Sequence, residues 1–188
     1  MKKVLLLMAA AVMSVSITFA QADDKAAKKA AKEAAKALKA EIKAANKTLR
    51  EAQGQLNAAD GNIDQANSLI EAAIANKHTA SNPDTWYTAG KIQEKIYNKE
   101  NEKMYLQQAY DQAKFFGSLS KMFDYFLTCD SLEQIPDEKG KVIAKYRPEM
   151  TELLSRIRIN LVSGGVTYFN ENNNEKAFEL FSKYIDVA

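Results

Sequence analysis

The sequence predicts an all-α fold of antiparallel helical hairpins stacked side by side, preceded by an Ala/Lys-rich helix. Apolar residues recur at spacings of three and four along most of the chain, which is the period of an amphipathic helix. Short polar stretches interrupt these patterns, as they do between the two helices of a hairpin. The 188 residues include only 7 glycines and 3 prolines, which argues against a β-rich fold with many tight turns.

Residues 1–20 have the three parts of a secretory signal. A basic start precedes an apolar run from Val4 to Val12, and small residues follow up to Ala20. We expect cleavage after Ala20, release into the periplasm and no membrane span in the mature chain. An uncleaved anchor helix is the alternative, but the apolar run is shorter than the roughly 20 residues that a spanning helix needs.

The charge balance and the residue counts exclude several classes of function. Lys2 and Lys3 belong to the signal, so the 26 basic residues become 24 in the mature chain and equal its 24 acidic residues. We therefore expect no nucleic-acid binding, because that requires a basic surplus. The sequence has one histidine, His78, and one cysteine, Cys129, so most His/Cys metal sites and any intramolecular disulfide are excluded.

The mature chain begins with a segment that differs in composition from the rest. Residues 21–37 are mostly Ala, Lys, Asp and Glu, which predicts a solvated helix with little apolar surface to bury. A regular apolar stripe starts at Leu38, so we place the folded domain at residues 38–188. The stripes and their interruptions predict helices over about 38–56, 63–74, 83–97, 102–128, 141–155, 158–169 and 175–187.

The last predicted hairpin has a recognisable internal spacing. Gly165, Tyr168, Ala177 and Phe181 are separated by 3, 9 and 4 positions, as in the tetratricopeptide pattern. The physical reason is that Gly165 and Ala177 are small where the two helices cross. Tyr168 and Phe181 would then fill the space on either side.

Two further copies of the pattern occur at a period near thirty-four residues. Trp86 and Gly90 occupy the Trp and Gly positions of a second copy, and Leu106 and Ala109 fit its later positions. A fainter first copy starts at Lys47, and its Gly54, Ala66, Ile70 and Ala73 keep the same spacings of 12, 4 and 3. Self-similarity at such a period indicates stacked helical hairpins.

The chain resembles exported bacterial tetratricopeptide repeat (TPR) proteins over about residues 47–188. The resemblance implies a short α-solenoid whose partner-binding groove is lined by the first helix of each hairpin. It places these residues in the groove: Tyr87, Lys91, Glu94 and Lys95 in the second copy, and Val162, Val166, Phe169 and Asn170 in the third. The third copy, about 158–188, needs a neighbour to cover its apolar face, and we expect the repeats to continue beyond the chain end.

The sequence lacks the residue patterns of common catalytic sites. It has no Gly-rich phosphate loop followed by Lys-Ser or Lys-Thr, and no nucleophile–base pair around His78. The run Asp60–Glu71 partly matches a calcium loop, but Gln65 replaces the glycine that the turn requires. We therefore expect no metal and no cofactor. Ser131 lies in an Asp-Ser-Leu triplet of a predicted polar loop and is a candidate O-glycosylation site.

These observations predict a non-catalytic, TPR-like periplasmic scaffold that binds a protein or peptide partner. The alternative is a helical accessory region of a larger envelope enzyme, or a structural protein of the envelope. Further repeats in a longer chain would favour the scaffold, and an adjoining domain of another kind would favour the alternative.

Overall fold

A computed structural model of the chain describes residues 24–187, which are all-α and contain no β-strand. The predicted signal, residues 1–20, lies outside the described residues. The seven helices are α1 (Asp24–Asn57), α2 (Ile63–Ala75), α3 (Pro83–Tyr105), α4 (Gln112–Glu133), α5 (Arg147–Ile157), α6 (Ile159–Asn170) and α7 (Asn174–Asp186). Within the described range, no helix combines the length and the hydropathy that crossing a bilayer requires.

The chain divides into two compact units after Ala40, and α1 contributes to both. In the first unit every side chain from Ala27 to Ala40 is exposed, because this part of α1 carries mainly Ala and Lys. In the second unit burial along α1 begins at Ala45 and continues at Leu49 and Ala52. Their spacing of four and three places them on one face of the helix.

The smaller of two core clusters joins the end of α1 to α2 and α3. Ala66, Ile70 and Ala73 of α2 are at most 1% exposed, and Ile92 of α3 packs in the same cluster. The side chain of Asn62 caps α2 by accepting hydrogen bonds from two backbone N–H groups of its first turn. The short apolar side chains let these helices pack closely.

The central hairpin is formed by α3 and α4, which cross where Gly90 faces the ring of Phe126. A Cβ atom at position 90 would overlap that ring, so the helices can approach this closely only because residue 90 is glycine. Phe126 is 1% exposed and belongs to the larger core cluster. Trp86, one turn earlier, donates from Nε1 to the carbonyl of Ala80 at 2.7 Å and lies 5.7 Å from the ring of Tyr125.

The predicted turn of this hairpin at residues 98–101 is wrong, because α3 runs past it and α4 begins later than predicted. Glu100 is only 4% exposed inside α3. Its carboxylate accepts hydrogen bonds from Lys103 Nζ at 2.6 Å and from the backbone N–H of Asp111 at 2.8 Å. A buried charge is tolerated when it is paired in this way, so the polar run does not end the helix.

The chain reverses between α3 and α4 around Gln107, whose φ of 56° is left-handed. Leu106 and Ala109 therefore lie in the connection, where both are exposed, and not inside the second helix of a repeat. The predicted repeat register is wrong for this half of the second copy.

The connection after α4 is also displaced from its predicted place. The polar loop expected at 130–140 begins only after Glu133, and the helix expected at 141–155 is α5, which starts after Tyr146. Glu133 is 5% exposed and accepts a hydrogen bond from the backbone N–H of Tyr146 at 3.0 Å. Pro148 lies in the first turn of α5. Backbone N–H groups there have no acceptor within the helix, so proline, which lacks an N–H, costs the helix no hydrogen bond.

The signature residues of the third copy lie at the contact between α6 and α7. Gly165 faces Phe181, and a Cβ at position 165 would lie 2.5 Å from its ring. The sequence predicted that Gly165 faces Ala177, but Phe181, one turn later on α7, takes that place. Ala177 is buried, and Tyr168 is buried with its ring 5.7 Å from Phe116 of α4.

The Gly165–Phe181 contact leads to a prediction about stability. Gly165→Leu should destabilise the α6–α7 hairpin by about 1–3 kcal/mol, because the added side chain competes with Phe181 for the same space. For a chain of this size each kcal/mol lowers the melting temperature by about 2–4 °C. Val166→Leu is the matched control on the same helix, since Val166 is 47% exposed. Thermal unfolding by circular dichroism that is equal in both variants would contradict the contact.

Candidate functional site

The predicted groove of the second copy is covered by the chain itself. The ring of Tyr87 stacks on the ring of Tyr146, with 3.8 Å between the ring centroids and 10° between the planes. Tyr146 is the residue before α5, and Glu149 lies in the first turn of that helix. The side chain of Tyr87, predicted to line a groove, thus contacts α5 of the same chain.

Hydrogen bonds and charges support the same contact. Glu149 accepts a hydrogen bond from the Tyr87 hydroxyl at 2.6 Å and one from Lys91 Nζ at 3.0 Å. Burial, together with the Glu149 carboxylate, raises the pKa of the Tyr87 phenol. The phenol in turn lowers the pKa of Glu149 below its usual value of 4.5, with a further contribution from Lys91. Lys91 also pairs with Glu94 at 2.5 Å. The structure thus brings these three predicted groove residues together as an internal contact.

Lys95 also bonds within the chain. Its Nζ donates to the backbone carbonyl of Leu56 at 3.0 Å, in the last turn of α1. A lysine at the end of a helix satisfies a carbonyl that has no helical partner. Lys95 therefore ties α3 to the end of α1, which the repeat register did not predict.

Three of the four predicted groove residues of the third copy are exposed, and Val162 is half-buried. Phe169 is 62% exposed and Val166 is 47% exposed, although both are apolar. Asn170 is also exposed at the end of α6. The other side of α6, with Gly164, faces Phe116 of α4. Burial on one side and exposure on the other leave α6 with an uncovered apolar stripe.

Helix α7 also has an exposed apolar stripe. Phe178 and Ile185 of α7 are 73% and 69% exposed, and their spacing of seven places them on one side of that helix. Leu180, by contrast, is 3% exposed and lies against Gly164 of α6. We define the outer face of the α6–α7 hairpin as its large exposed apolar residues. They are Ile159, Val166, Phe169, Phe178 and Ile185.

Sequence reasoning found only part of this outer face. The repeat register assigned binding to the first helix of each hairpin, so it included Val166 and Phe169 but omitted Phe178 and Ile185. The spacing of seven between those two was visible in the sequence and could have indicated a second stripe. The register gave no way to tell whether a stripe is covered by another part of the chain.

Two further sequence-predicted features have a clear structural setting. Ser131 lies inside α4, where its hydroxyl donates to the carbonyl of Leu127 at 2.9 Å, so the Asp-Ser-Leu triplet is helical and not in a loop. Cys129 is fully buried and lies 3.4 Å from the carbonyl of Pro83. Burial raises the pKa of its thiol to about 12, which opposes formation of a reactive thiolate.

Similarity searches add no assignment to these observations. Protein-family models, curated proteins and solved structures were compared with the chain, and none of the three comparisons gives a match. Among the residues that the structure describes, no group of three or more His, Cys, Asp or Glu side chains is arranged to hold a metal ion.

If Tyr87 lined an open groove, replacing it would leave the stability of the fold unchanged. The Tyr87–Tyr146 stack predicts a loss of stability instead. Tyr87→Ala should lower the free energy of unfolding by about 1–3 kcal/mol, because it removes an aromatic pair and half-buried apolar area. Tyr105→Ala is the matched control, since Tyr105 is 84% exposed, and should change stability by no more than about 0.5 kcal/mol. Urea unfolding measures both, and a neutral Tyr87→Ala would mean that α5 does not depend on this contact.

Proposed function

We propose that this chain is a non-catalytic, TPR-like scaffold of the periplasm that binds a protein partner through the outer face of the α6–α7 hairpin. The observation that carries the proposal is the outer face itself, where five large apolar side chains of a single hairpin are 47–73% exposed. Single exposed apolar residues are normal in proteins. A contiguous set of them marks an interaction site.

The stacking of helical repeats supplies the physical reason for such a face. A hairpin in a repeat array buries its apolar sides against the neighbours on both sides. Here α4 covers the inner side of α6–α7, through the contacts of Phe116 with Gly164 and Tyr168. The outer side has the same apolar character but no covering helix among the described residues. A helical segment of a partner would complete the stack.

The charges around the outer face favour a partner with basic residues along one edge. Helix α6 contains no charged residue between Ile159 and Asn170. On α7 the exposed carboxylates Glu175 and Asp186 lie next to the apolar stripe. The partner that fits best is an amphipathic helix whose apolar side is flanked by Lys or Arg. The apolar contacts would give affinity, and the charges would set orientation and partner choice.

The same face also serves the alternative function. In a helical accessory region of a larger envelope enzyme, or in a structural envelope protein, another domain would cover α6–α7. Both alternatives assign the outer face to a protein contact, and they differ in whether the covering segment belongs to a separate protein. The identity of the captured protein decides between them.

The proposal is tested by capture from the envelope of the source organism. The full chain is expressed there with a carboxy-terminal tag and recovered from the periplasmic fraction. Its molecular mass is measured by mass spectrometry. We expect a product without residues 1–20 and one co-purified protein at constant stoichiometry. Recovery only in the cytoplasm, or of the uncleaved chain, would contradict the location.

Substitutions at the outer face then test the surface. Phe169→Asp with Phe178→Asp should weaken binding of the captured protein by at least about tenfold, because large aromatic residues dominate interface energies. Ile143→Asp is the matched control, as Ile143 is 55% exposed in the connection before α5. Isothermal titration calorimetry measures affinity, and thermal unfolding checks the fold. Equal affinity in a folded double variant would place the binding surface elsewhere.

A further inference from the structure

A cleft with both apolar and polar walls lies between α2, α3 and α4. None of its lining residues belongs to α6 or α7, the two helices of the outer face. It has a volume of about 300 Å³, and Ile63 and Ile96 form part of its wall. This is within the range of cavities that hold small molecules. The cleft lies wholly within the second unit of the chain.

Gly117 of α4 lines this cleft without any packing role. A Cβ atom at position 117 would meet nothing within 4 Å, whereas one at Gly90 or Gly164 would overlap a phenylalanine ring. Glycine inside a helix costs about 1 kcal/mol relative to alanine. The chain therefore carries a helix-destabilising residue on the wall of the cleft, at a position where alanine would fit.

Polar atoms in the cleft are available to a ligand. Gln93 lines the cleft although it is only 3% exposed, and its Nε2 donates to Oδ1 of Asn67 at 2.7 Å. Among the described residues, neither Gln93 Oε1 nor Asn67 Nδ2 has a hydrogen-bond partner. Asn67 Nδ2 can donate to an anionic oxygen. Gln93 is buried and Asn67 is half-buried, and polar groups with unused hydrogen-bonding capacity on a cleft wall are typical of those that fix a ligand's orientation.

The charged side chains around the cleft are mainly lysines. Among residues 24–187, Lys99 and Lys114 form no ion pair within 4 Å, although the charge of Lys114 helps to lower the pKa of the Glu100 carboxyl. Lys121 makes an exposed pair with Glu71 at 3.3 Å. The carboxylate of Glu100 also lines the cleft but is already paired with Lys103.

With Glu100 paired to Lys103 and Lys121 paired to Glu71, Lys99 and Lys114 outweigh Asp64 by one positive charge at the opening. We propose that this cleft binds a small organic anion with an apolar body. The carboxylate of such a ligand meets Lys99 and Lys114, and its apolar part packs on Ile63 and Ile96 over Gly117. This site is independent of the partner surface on α6–α7.

Benzoate is a suitable probe because it combines a carboxylate with a small apolar ring. It is titrated into ¹⁵N-labelled purified chain in a buffer free of carboxylate and phosphate, and amide shifts are followed by NMR. We expect saturable shifts at Gly117 and its neighbours with a millimolar Kd. Neutral benzamide and cationic benzylammonium should bind at least about tenfold more weakly. Fragments of this size typically bind with a Kd of about 1 mM or weaker, so the titration extends to about 50 mM benzoate. No saturation at that concentration, or equal binding of benzamide, would overturn the proposal.

Two sets of variants locate the binding. Gly117→Leu should fill the cleft and abolish benzoate binding, with an equal or higher melting temperature because leucine favours helix. Gly54→Leu is its matched control, since Gly54 is also helical with open space but lines no part of the cleft.

If Gly117→Leu fails to fold, the lysine variants still test the site. Lys99→Gln with Lys114→Gln should weaken benzoate binding at least about fivefold, while Lys47→Gln with Lys139→Gln should leave it unchanged. Unchanged binding in the Lys99/Lys114 variant, or in a folded Gly117→Leu, would overturn the proposal.

Discussion

The close crossing of α3 and α4 at Gly90 is the constraint on which the rest of the described domain depends. Phe126 occupies the space that a side chain at position 90 would need, and the ring of Tyr87 on α3 lies 6.0 Å from the ring of Phe126. Because this pair of helices joins both core clusters, its spacing sets the places available to α2 on one side and to α6 and α7 on the other. A single glycine thus determines how closely the central hairpin packs.

Two buried carboxylates then fix the connections that leave this hairpin. Glu100 holds the backbone N–H of Asp111 before α4, and Glu133 holds that of Tyr146 before α5. The second contact brings Tyr146 and Glu149 over Tyr87, which converts an expected groove into an internal interface. The surfaces left open are the cleft around Gly117 and the outer face of α6–α7, so both proposals follow from what this packing leaves uncovered.

The helical class was predictable because the period of apolar residues is a local property of the chain. The α6–α7 hairpin was predictable in extent for the same reason, and so was the exposure of Phe169. The helix ends near Glu100 and Glu133 were not predictable. A charged residue is expected at an exposed position unless the distant group that pairs with it in the fold is known. The covering of Tyr87 by α5 likewise depends on contacts between residues about sixty positions apart. The predicted register was wrong for the second half of the second repeat because the turn lies later in the chain than expected.

The most direct test of the central crossing is a double-mutant cycle between Gly90→Ala and Phe126→Leu, with free energies from urea unfolding. Each single variant should be destabilised, the first by overpacking and the second by a cavity. A leucine at position 126 leaves room for the methyl group that Gly90→Ala adds. The double variant should therefore lose less unfolding free energy than the two single variants lose together, by about 1 kcal/mol or more. Losses that add to within about 0.5 kcal/mol would contradict a crossing set by these two residues.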